Sequence, residues 1–143
     1  MKKNLIPITF LSLIFVFFLI LGMFFVPQIR DLVREIFLSI FIIFSLLGAL
    51  LIFLVLKQEE KSKFRKFLIL TGISALGTFV AIFLHNAFYA LGVLTENIIV
   101  LHYFMEAIHT FFFLVAILVC PIGFIIGVLG TFLHFFKKEK SLV

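Results

Sequence analysis

At 143 residues, 64% apolar and 13% charged, with a mean hydropathy of +1.35 and a formal net charge of +5, the chain has too little polar surface to clothe a water-soluble globule. A soluble domain is excluded. A lone cysteine, Cys120, also excludes an internal disulfide and a Cys-x-x-Cys redox pair.

Four hydrophobic spans are predicted, over residues 5–26, 36–56, 67–92 and 107–136, within a single transmembrane domain covering 1–143. Each reaches the roughly 20 residues that a helix needs to cross about 30 Å of hydrocarbon. Barrel strands would alternate apolar and polar residues, whereas these spans are apolar on every side. The expected fold class is therefore all-α, a polytopic membrane protein with four transmembrane helices. Tryptophan is absent, so the aromatic belts rest on Tyr89, Tyr103 and the 23 Phe residues.

The first span follows Met1-Lys2-Lys3, a basic start like that of a secretory signal. It is expected to be retained, because its apolar core exceeds a signal h-region and 22–27 offers no small-x-small cleavage site. Pro7 falls in the first turn and Pro27 closes the helix. With Leu, Ile, Phe and Val on all faces, this helix is expected to face lipid over much of its surface. Residues 28–35 interleave Arg30, Asp31, Arg34 and Glu35 at spacings that allow ion pairs on an outer helical turn. In the second span, Ser45 and Ala49 form a small-xxx-small step for close helix approach.

In the third span Thr71, Ser74, Thr78, Ala81, His85, Tyr89 and Gly92 share a sector of about 80° on one helix face. Such a stripe should turn from lipid towards another helix. The fourth repeats the pattern, with His102, Glu106, His109, Ala116, Cys120, Gly123, Gly127 and His134 within about 100°. Gly123 and Gly127 permit close backbone contact, and Pro121 should kink the helix.

Ten of the twelve Lys and Arg residues flank alternate joints: Lys2 and Lys3, the five cations of 57–66, and Lys137, Lys138 and Lys140. The positive-inside rule makes both termini and the 57–66 loop cytoplasmic, an N-in/C-in topology in a cell (inner or plasma) membrane. Less Glu59, Glu60 and Glu139, that side carries +7, and the other carries −2. One-sided charge of this kind fits topology and anionic lipid, so the expected partners are the bilayer and another membrane protein or a second copy, with no nucleic acid.

His102, Glu106 and His109 stand at i, i+4, i+7, two imidazoles and a carboxylate on one face, with His85 and Asn86 available from the third span. Counting from Lys66 and back from Lys137 brings His85, His102, Glu106 and His109 near the outer interface. Such donors suit zinc, copper or iron. Glu-x-x-His is half of a di-iron site, the other half is missing, and the order is not His-Glu-x-x-His. Haem b between the last two spans, ligated by His85 with His102 or His109, is a second ligand reading. The plain reading is that these groups hydrogen-bond one another, Tyr103, Asn86 or headgroups, with no cofactor, and that His134 and Cys120 are packing residues. No ionisable group falls at the midplane, which argues against an ion-coupled transporter.

The stretches Phe83-Leu84-His85-Asn86-Ala87-Phe88-Tyr89-Ala90-Leu91 and 111–127, the latter with Cys120-Pro121-Ile122-Gly123-Phe124, resemble small uncharacterised four-helix membrane proteins of bacteria and archaea. The likeness spans about the C-terminal half and implies the four-helix fold, with no activity attached. The leading expectation is a non-enzymatic protein acting through helix packing or as a partner in a membrane complex. The alternative is a metal- or haem-binding protein using His85, His102, Glu106 and His109.

Overall fold

The computed structural model describes residues 5–58 and 63–140, and among them every regular element is helical. Lys2, Lys3, Glu59, Glu60 and Lys61 lie outside the described residues, as do the side chains of Arg34, Lys63, Lys137, Lys138, Glu139 and Lys140. In chain order come α1 (Leu5–Phe25), α2 (Pro27–Val33), a 3-10 turn at Arg34–Ile36, α3 (Phe37–Leu56), α4 (Lys63–Leu94), α5 (Ile99–Leu114), a π-turn at Val115–Val119, and α6 (Cys120–Lys140). Four stretches are long and apolar enough to cross a bilayer: Leu5–Phe25, Phe37–Leu56, Phe64–Leu94 and Ile99–Phe135.

Although α1 has no polar stripe, it buries one. Ile6, Phe10, Leu13, Phe17, Ile20 and Met23 recur every three or four residues on the inner face, while Ile8, Leu11, Phe15 and Phe18 point outward. The buried row packs on α3 and meets α6 through stacked rings, with Phe17 and Phe124 centroids 4.4 Å apart. Pro27 ends α1 by opening α2, whose fixed φ suits a first helical position. On α2 an ion pair joins the neighbours Arg30 and Asp31 at 3.8 Å between exposed side chains.

The central element is α4, which packs against α3, α5 and α6. Of its inward stripe, Thr71, Ser74 and Ala81 are buried and Thr78 half-buried, as a small and polar face should be, whereas Tyr89 further along is exposed. The hydroxyls of Thr71 and Thr78 donate back to the carbonyls of Phe67 and Ser74, four residues earlier in the same helix. Those polar groups are therefore satisfied locally, and what they offer α6 is small size. Gly123 sits where a Cβ would stand 2.6 Å from Ser74 Oγ, and Gly127 lies against Thr71 and the backbone of Phe67. On α3 a close approach to α4 falls at Gly48, where a Cβ would stand only 2.8 Å from the Gly72 carbonyl oxygen, while the neighbouring Ala49 is half-buried. Ser45, one turn earlier, is buried as well.

Pro121 has no N–H to give the carbonyl of Ile117, and its ring would crowd that carbonyl in a regular helix. The chain widens instead into the π-turn, in which the Cys120 N–H reaches back five residues to the Val115 carbonyl. The expected kink thus takes the form of a π-bulge, which keeps Ala116 and Cys120 buried together.

At 32 residues α4 exceeds α3 by twelve, about 18 Å at 1.5 Å per residue. A short connection joins the end of α3 to the start of α4, so the excess emerges at the opposite end. Together with α5 it forms a hairpin that overreaches the shorter helices. The antiparallel register that puts Gly48 beside Gly72 brings His85 level with the 3-10 turn that precedes α3.

Candidate functional site

The predicted ligands His85, His102, Glu106 and His109 all lie in the α4–α5 hairpin, and the structure divides them into two groups. In the lower group the Nδ1–H of His85 donates to the main-chain oxygen of His109 at 3.0 Å. A carbonyl oxygen has two lone pairs, so one inside a helix accepts this second donor without losing its own helix bond. Because a carbonyl only accepts, the proton of neutral His85 must be on Nδ1, leaving Nε2 with a free lone pair. The two imidazoles lie 5.1 Å apart between centroids, with Phe113 beside His85 and Tyr89 edge-on to His109.

Glu106 stands one turn before His109 on α5. Its Oε2 is 3.6 Å from the His109 Nδ1, beyond hydrogen-bond reach, and that buried nitrogen has no hydrogen-bond partner among the described residues. The other carboxylate oxygen lies over Gly92, where an added Cβ would stand 3.4 Å from it.

The upper group centres on Gly92. It is two residues from the end of α4, so its carbonyl is one of the four that a helix end leaves without a regular partner. The Nδ1–H of His102 donates to it at 2.9 Å, and the Thr95 hydroxyl and N–H approach the same oxygen at 3.2 and 3.3 Å. His102 therefore caps the C-terminus of α4 from a neighbouring helix. Cation-capable side chains suit that end of the helix dipole as well.

His102 is thus spent on the helix end, away from the His85–His109 contact. Asn86, expected to face the histidines, is exposed and donates to Ile82 of its own helix at 2.9 Å. Tyr103 is exposed and meets His102 edge-on at 5.8 Å. Among the described residues no three His, Cys, Asp or Glu side chains are gathered as ligands of one ion. His134 donates to the Gly130 carbonyl at 3.2 Å and its ring rests on Phe67, while Cys120 is buried against Gly77.

Sequence reasoning missed Gly92 as the seat shared by His102 and Glu106, and missed Gly48 with Gly72. The signal for Gly92 was its place two residues from a helix end, ten residues before a histidine.

Set against family models, curated proteins and solved structures, the chain matches none. Its class rests on its own helices: the described residues are all-helical, with four stretches among them long and apolar enough to span a membrane.

Proposed function

We propose that this chain is a small non-enzymatic membrane protein of the four-helix kind it resembles, acting through helix packing, alone or as a partner in a larger membrane complex. It lies in the cell (inner or plasma) membrane with both termini cytoplasmic. One observation carries this reading: His85 and His102 each give their Nδ1–H to a backbone carbonyl across the α4–α5 hairpin. Polar side chains in an apolar span are costly, and here they work as cross-links between helices. The orientation rests on the +7 against −2 charge asymmetry of the joints.

A second reading has one observation in its favour. Metal-ligating imidazoles commonly give their other N–H to a carbonyl, and the Nδ1–H bonds of His85 and His102 leave Nε2 free in the same way. A transition metal or haem b held with His85, His102, Glu106 and His109 is that alternative.

Elemental analysis and the visible spectrum of the purified protein separate the two. The packing reading expects no stoichiometric metal and no Soret band. One equivalent of either, lost in both His85→Ala and His109→Ala, would establish the alternative. For topology, a reporter fused after Val143 should read cytoplasmic and one inserted near Glu96 external; the reverse would overturn the assignment.

A further inference from the structure

We draw no further inference here: the strongest candidate, the exposed α4 face of Phe83, Ala90 and Leu94 that continues the α3 seam past the start of α3, is an unpartnered apolar face, and nothing in the structure shows what covers it.

Discussion

Gly48 of α3 and Gly72 of α4 face each other so closely that a Cβ on Gly48 would stand 2.8 Å from the Gly72 carbonyl oxygen, and one on Gly72 would stand 2.9 Å from that of Gly48. Both obstacles are backbone, which cannot swing aside. Gly48→Val or Gly72→Val should therefore cost about 1–3 kcal/mol, the usual range for overpacking. Ala49→Val, on the half-buried neighbouring position, should cost less. Denaturant unfolding in micelles ranks the three, and an Ala49 variant as damaged as Gly48 would contradict this contact.

A similar comparison tests the α4–α6 seam. At Gly123 the obstacle is the Ser74 hydroxyl, which a rotamer change can move; at Gly127 it includes the Thr71 amide nitrogen at 2.8 Å and the Phe67 carbonyl at 3.0 Å. Gly127→Ala should be the more destabilising substitution, and adding Ser74→Ala should relieve Gly123→Ala. Thermal melting of the two singles and the double reads both effects.

Pro121 calls for a prediction of unusual sign. Removing a proline from a helix interior ordinarily restores about 3 kcal/mol of helix stability. Here Pro121→Ala should reduce stability, since regularising the π-turn would rotate α5 against α6 by about one residue, or 100°. The α5 face bearing Glu106 and His109 would then leave α4. Disulfide formation between cysteines introduced at 85 and 109, in a Cys120→Ala background, should be fast with Pro121 present and slow in Pro121→Ala.

Capping of α4 by His102 predicts a local effect. His102→Ala leaves the Gly92 carbonyl still approached by Thr95, so the global loss should be small, about 0.5–1 kcal/mol. Amide exchange around Thr95 to Ile98, the turn between α4 and α5, should accelerate well beyond that of the helix interiors.

Much of the fold is legible from hydropathy alone, because a helix that must satisfy its own backbone in hydrocarbon leaves a long apolar run. Periodicity also located the Thr71–Ala81 face and the Gly123–Gly127 step. It could not choose between Gly48 and Ala49, adjacent small residues that point about 100° apart, since only the partner helix decides which one is used. For the same reason α1 read as uniform: its buried row differs from its exposed one in neighbours and not in residue type. At the candidate site, spacing placed His102, Glu106 and His109 on one face, but the targets of His85 and His102 are the main-chain oxygens of His109 and Gly92 respectively, which no side-chain pattern encodes.

His85 joins α4 to α5 through its Nδ1–H. An asparagine at 85 places its amide nitrogen where Nδ1 stands, keeping the donor, whereas alanine removes it. The decisive measurement is the unfolding free energy of His85→Asn against His85→Ala. The expected result is that Asn stays near the native value and Ala falls by about 0.6 kcal/mol, with about 1.7 as the upper end for interhelical bonds in membranes. An equal loss in both would contradict the account, because it would mean that the group His85 supplies is something other than that donor.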